Sequence, residues 1–195
     1  MSNAFFGYGS LVNLTTHDYP DARPATLTGW RRVWKGTHLR QVAYLSVEPS
    51  PEGTLHGVVA AVPNNDWAAL DAREAAYDRI DISHAVTAAQ ATTVIYHVSP
   101  THIAPDGAHP ILMSYLDVVV QGFLQLYGHD GVRHFFDTTD GWHLPVLDDR
   151  AAPLYPRHRR LDYAERRLVD TNLAAAREKA GLTTARTPAA FAARP

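Results

Sequence analysis

The sequence predicts an α+β fold: a small, curled, mostly antiparallel sheet built before about residue 100, with helices packed on it afterwards. Two observations predict it. Up to residue 98 the chain passes through short segments rich in valine, threonine, tyrosine and tryptophan, punctuated by glycine and proline. From residue 110 the apolar residues take helical spacing, over 110–128 and again over 162–181. A doubly wound parallel sheet is not expected, because it would set a helix between every pair of strands.

The elements follow in order. Residues 4–9 read as a first strand that stops in a glycine-tyrosine-glycine-serine turn. Residues 10–19 read as a short helix or turn, closed by Pro20. "ATLTGWRRVWKG" (25–36) alternates in part, with Trp30, Arg32 and Trp34 on one face and Arg31, Val33 and Lys35 on the other. That pattern describes a half-buried strand with snorkelling cations. Residues 42–50 and 54–62 read as the two strands of a hairpin, with "PEG" (51–53) as its turn. The alanine-rich 64–78 reads as a helix capped by Asn64 or Asn65. Residues 77–86 and 93–98 return to strand. Residues 110–128 form an apolar helix ended by Gly128, 131–139 a short second helix, and 162–181 an amphipathic helix ended by Gly181. The tail from 182 reads as loose. These elements divide the chain into a domain of residues 1–139 and a helical extension, 140–195, packed on it.

Composition narrows the function. The chain has 195 residues, 46% of them hydrophobic, and a formal net charge of −2, so nothing draws it generally toward nucleic acid or an anionic membrane. Cysteine is absent, which excludes disulfides, thiolate metal sites and a cysteine nucleophile. No apolar run spans a bilayer and no charged-then-apolar leader opens the chain, so a cytoplasmic protein is expected. The eleven histidines show no ligand spacing, and neither metal nor other cofactor is expected. The basic cluster "RHRR" (157–160), with Arg166 and Arg167, is interspersed with Asp162, Glu165 and Asp170 and reads as a solvated face. No nucleic-acid or membrane partner is expected; the oligomeric state is open.

Two features carry chemistry. On a 64–78 helix, Trp67, Leu70, Glu74 and Tyr77 fall at i, i+3, i+7 and i+10. A glutamate on that stripe is expected to be largely buried, which raises a carboxyl pKa toward the range a general base needs. From the stripe alone a second reading stands beside it: a boundary carboxylate paired with Arg79 or Arg40. The second feature is "FGYGSL" (6–11), where glycines let something approach the backbone closely.

Together, "FGYGSL" and "LDAREAAYDRIDI" (70–82) resemble the γ-glutamylcyclotransferase superfamily. Tyr8, Gly9, Ser10 and Leu11 match its Tyr-Gly-Ser/Thr-Leu turn. Leu70, Asp71, Glu74, Tyr77 and Arg79 match its Leu-Asp-x-x-Glu-Gly-x-Tyr-x-Arg pattern, with Ala75 in place of the usual glycine. "SYLDVVVQG" (114–122) is similar to a later helix of the family. The resemblance covers roughly residues 4 to 127 and implies a curled sheet of about six strands around one cavity. It implies cleavage of a small γ-glutamyl amide by cyclisation to 5-oxoproline, without cofactor, as in glutathione metabolism. It casts Glu74 as acid/base and Tyr8, Gly9, Ser10 and Leu11 as the binding turn for the glutamyl head. Ser10 either caps the short helix or binds a substrate oxygen. Tyr77, Arg79 and Tyr115 shape or charge-balance the pocket. The rival expectation is a non-catalytic sensing module for small γ-glutamyl-like carboxylates.

Overall fold

The two longest β-forming stretches become the two longest strands. In this computed structural model, which describes residues 3–87, 92–104 and 109–182, β2 (Arg23–Gly36) and β3 (Ala43–Ala61) form one long antiparallel hairpin, from Arg23 opposite Val59 to Gly36 opposite Ala43. This corrects the expected hairpin between 42–50 and 54–62. Those segments are one continuous strand, and the proline–glutamate–glycine run lies where the register with β2 shifts between Thr28 and Trp30. Gly53 marks a close approach rather than a turn: a Cβ there would come within 2.3 Å of the Trp30 carbonyl oxygen.

β1 (Asn3–Gly7) lies in the middle of the sheet, antiparallel to β3 and parallel to β5 (Thr92–Val98). β4 (Tyr77–Asp81) pairs antiparallel with β5 at one edge, and β7 (Thr139–Asp140) pairs parallel with β2 at the other. The six-stranded order is β4-β5-β1-β3-β2-β7, and a two-residue parallel pair, β6 (Ile111–Leu112) with β8 (Val146–Leu147), stands apart. The expected α+β class, with a mostly antiparallel sheet, is what the chain forms.

Neighbouring residues of a strand point to opposite faces. Phe5 and Phe6 are both buried, so β1 is covered on both sides. Phe6 joins the main core with Leu27, Leu55, Val59 and, from α2 (Met113–Asp137), Leu116, Val119 and Phe123. Phe5 joins a smaller core with Val62, Val94 and, from α1 (Trp67–Arg73), Leu70. α2 is broken at Gly128, whose φ of +65° lets the backbone leave the helix, so the two predicted helices are segments of one element. Its second segment ends at Asp137, and Thr139, expected in that helix, belongs to β7. α3 (Tyr163–Lys179) opens with a capping box between Asp162 and Glu165 and contributes Val169, Leu173 and Ala176 to the main core. The tail expected to be loose from 182 lies, past that residue, outside the described residues. Among the described residues no helix is long and apolar enough to cross a membrane.

Candidate active site

The 8–11 turn, expected to bind the ligand, begins where β1 runs out. Residues 8–11 lead from the strand into a 3-10 turn, Ser10–Val12, whose N-cap is Gly9 with no side-chain cap. The Ser10 side chain therefore does not cap it. Ser10, through backbone and hydroxyl, lies against the Tyr115 phenol instead. Gly9 is required by that phenol, because a Cβ there would sit 2.6 Å from the Tyr115 hydroxyl oxygen. Arg32 fixes the turn from behind by donating its Nε–H to the Tyr8 carbonyl at 2.8 Å. α2 fixes it from the side. Asn13 Nδ2 donates to the Val118 carbonyl at 3.0 Å, and Gly122 allows the contact, since a Cβ there would come within 2.5 Å of the Asn13 nitrogen.

The catalytic candidate comes from the other side of the sheet's edge. α1 is only seven residues long. Its cap is Asp66, which accepts from the Ala69 N–H at 3.0 Å, and not Asn64 or Asn65. Both asparagines have φ near +54°, and Asn65 accepts from the Asn3 N–H instead. The helix stops at Arg73. Glu74 forms its C-cap, and the Tyr77 N–H bonds the Glu74 carbonyl at 2.8 Å as the chain turns into β4. The Trp67–Leu70–Glu74–Tyr77 stripe is thus not one helical face, and Glu74 is half-buried rather than buried. Pairing of 77–81 with β5 overrides the helical propensity of the alanine-rich run.

Two of the matched side chains, Asp71 and Arg79, lock this turn. Asp71 accepts from the Tyr96 hydroxyl at 2.7 Å and pairs with Arg79 at 3.0 Å, while the Arg79 guanidinium lies over the Trp67 ring at 4.5 Å. Arg79, expected at the pocket, does not line it. It braces α1 against β4, and its carboxylate partner is Asp71, not Glu74.

Between turn and helix end lies a cavity of about 620 Å³, lined by Tyr8–Leu11, Glu74–Tyr77, Tyr96 and Tyr115 and closed by residues of the 39–45 and 154–157 segments. Of the expected site residues, the structure brings Glu74, Tyr8, Gly9, Ser10, Leu11, Tyr77 and Tyr115 to this space. Desolvation holds the phenols of Tyr8, Tyr77, Tyr96 and Tyr115 well above the ordinary tyrosine pKa, and the nearby Glu74 carboxylate pushes each of them the same way. All four are neutral hydroxyls at physiological pH. Three are committed as donors: Tyr8 to the Tyr96 carbonyl at 2.7 Å, Tyr96 to Asp71, and Tyr77 to the Leu45 carbonyl at 3.3 Å. A second cavity, of about 500 Å³, lies between the end of α2, β7 and α3 and contains none of these residues. Several of its charges are already paired, Arg31 with Asp140 and Lys179 with Asp137.

Sequence reasoning missed Tyr96, Tyr155, Arg40 and Arg157 as cavity residues. Alternation within 93–98 could have placed Tyr96 inward. Nothing local marks the other three, which reach the cavity only through the tertiary fold.

The fold thus brings Glu74 and the 8–11 turn to the lining of one cavity. The sequence model of the family described as gamma-glutamyl cyclotransferase, AIG2-like, matches residues 5–114, which include both the turn and Glu74. The chain belongs to this family. No curated protein matches the sequence. Among solved structures, a gamma-glutamyl cyclotransferase superposes with a TM-score of 0.55 at 13% identity, covering 88% of this chain and 99% of that one. An uncharacterized protein from Homo sapiens gives 0.54 at 14% identity, covering 86% and 97%. YkqA from Bacillus subtilis gives 0.51 at 18% identity, covering 72% and 56%. At these identities the likeness shows the fold.

Proposed function

We propose that the protein cyclises the γ-glutamyl group of a small γ-glutamyl amide to 5-oxoproline and releases an amine or amino acid, in the cytoplasm. The observation that supports this reading is a cavity lined by both Glu74 and the 8–11 turn, within a family match spanning both. The α-carboxylate of the glutamyl head rests on the backbone N–H groups of Gly9 and Leu11, beside the Tyr115 phenol that the Ser10 N–H already meets. That holds the chain folded, with its α-amine against its own γ-carbonyl. Closing a five-membered ring from a tethered nucleophile is entropically cheap, and such arrangements reach effective molarities of about 10⁵ M or more.

Proton movement is the remaining task. The α-nitrogen enters as an ammonium and ends as a lactam N–H, so it loses two protons. The leaving nitrogen gains two and departs as an ammonium. The N–C bond forms, the amide C–N bond breaks, and no water is consumed. Glu74 takes the two protons from the α-nitrogen one after the other and passes each in turn to the leaving nitrogen. The surrounding neutral phenols keep the site polar without supplying a competing negative charge.

The test is proton NMR of 5-oxoproline release from a panel of γ-glutamyl amino acids, peptides and alkylamides. Release from at least one compound supports the reading. Binding of a compound with no release from any would favour a sensing module instead.

A further inference from the structure

The lining of the cavity carries two guanidinium groups, Arg40 and Arg157, against one carboxylate, Glu74. Arg40 sits on the exposed loop between β2 and β3. Arg157 is half-buried on the segment before α3, beyond the residues matched by the family. Among the described residues, neither guanidinium makes a hydrogen bond or ion pair, whereas nearby arginines are tied down: Arg79 by Asp71, and Arg159 by Thr15. A cation that makes no such bond and belongs to the lining of a cavity is available to an anionic ligand group, and a guanidinium fork suits a carboxylate.

Resting on the reading above, we propose that Arg40 and Arg157 form a carboxylate subsite for the leaving half of the substrate. It selects γ-glutamyl amides whose released amine is an amino acid or peptide with a free carboxylate over those releasing an uncharged alkylamine. Charge supports the assignment. With histidine neutral, the lining carries one net positive charge. A γ-glutamyl alkylamide is a zwitterion with no net charge, and a γ-glutamyl amino acid adds one negative charge to it. The wall that carries Arg157 is also built to hold its place. Tyr155 packs edge-on against Tyr115 with ring centroids 5.0 Å apart, and its N–H bonds the Ser114 hydroxyl at 3.2 Å.

The experiment compares γ-glutamylalanine with γ-glutamylethylamide, which differ only in the leaving-group carboxylate, in the wild type, Arg40→Gln and Arg157→Gln. Wild type is expected to favour γ-glutamylalanine in kcat/KM by roughly 10–100-fold, the worth of a charge-assisted hydrogen bond, and each variant shrinks that ratio toward one. Equal kcat/KM for the two compounds in the wild type overturns the subsite. So does an equal loss on both compounds in the variants, which would mean that the arginines hold the glutamyl α-carboxylate instead. If the wild type turns over neither compound, the enzymatic reading fails for this pair, and calorimetric binding of the same two compounds decides the subsite: tighter binding of γ-glutamylalanine, lost in the variants, supports it, and equal binding overturns it.

Discussion

Arg32 is fully buried, with its guanidinium carbon 4.9 and 5.3 Å from the ring centres of Phe123 and Phe135. It donates to the Tyr8 carbonyl, to Thr138 Oγ1 and to the His56 carbonyl, joining the binding turn, the end of α2 and β3. Burial pushes its pKa down to about 9, which still leaves it a cation at neutral pH. Arg32→Met keeps the volume but orphans two buried carbonyls, each costing on the order of 1–3 kcal/mol. The expected outcome is a thermal midpoint lowered by several degrees and weaker turnover as the 8–11 turn loosens; an unchanged melt would contradict it. Strand alternation set Arg32 on one face with Trp30 and Trp34, and that much was legible. The expected snorkelling was wrong. Arg32's acceptors come from segments distant in sequence and its aromatic rings from α2, and no local pattern announces such partners.

At the scale of elements, Asp149 shows how the segment after α2 is fastened. Its buried carboxylate accepts from the Ser114 N–H at 2.8 Å, from the Ser114 hydroxyl at 2.5 Å and from the Leu154 N–H at 2.8 Å. It thereby caps the first turn of α2, whose own N-cap, Leu112, has no capping side chain. Arg150 adds a pair to Asp117 at 2.7 Å and another to Asp170 at 2.8 Å. Asp149→Ala should cost roughly 1–3 kcal/mol, read as a shift of the denaturant midpoint at constant slope, while Asp148→Ala next to it stays within about 0.5 kcal/mol. Equal effects of the two would remove the capping role. The helices were legible where period and caps agreed, as in α3 with its Asp162–Glu165 box. α1 was drawn too long because alanine spacing says nothing about the sheet that takes residues 77–81. The false hairpin turn at 51–53 arose because Gly53 serves a backbone approach as readily as it would a turn. Of the cavity lining, the turn and Glu74 were legible from motif residues close in sequence, whereas Arg79, expected at the pocket, braces α1 against β4.

At the scale of the whole molecule, acid should weaken the fold through two stacked imidazoles. The rings of His56 and His134 lie 3.9 Å apart beside Arg32, and among the described residues neither His56 Nδ1 nor His134 Nε2 has a hydrogen-bond partner. Desolvation, then His56, then Arg32 push His134 down to about 4, and desolvation and Arg32 lower His56 as well; a hydrogen bond with the Thr54 backbone and the Asp137 carboxylate oppose the shift of His134. An unfolded histidine titrates near ~6.5. Between about pH 6.5 and 4 the unfolded chain therefore binds protons that the native chain refuses, so stability falls as pH drops through that window. The melting temperature should decline from pH 7 to pH 5, and His134→Gln should flatten part of that decline; an identical pH slope in the variant would count against the histidine pair. The same fold that keeps these imidazoles neutral holds the 8–11 turn against Glu74, and the account depends most on that carboxylate. The direct measurement is 5-oxoproline release by Glu74→Gln beside wild type, with a binding titration and a thermal melt on both. The account predicts a rate loss of roughly 10²–10⁴-fold with ligand affinity and melting temperature near wild type. An unchanged rate in the glutamine variant would contradict it.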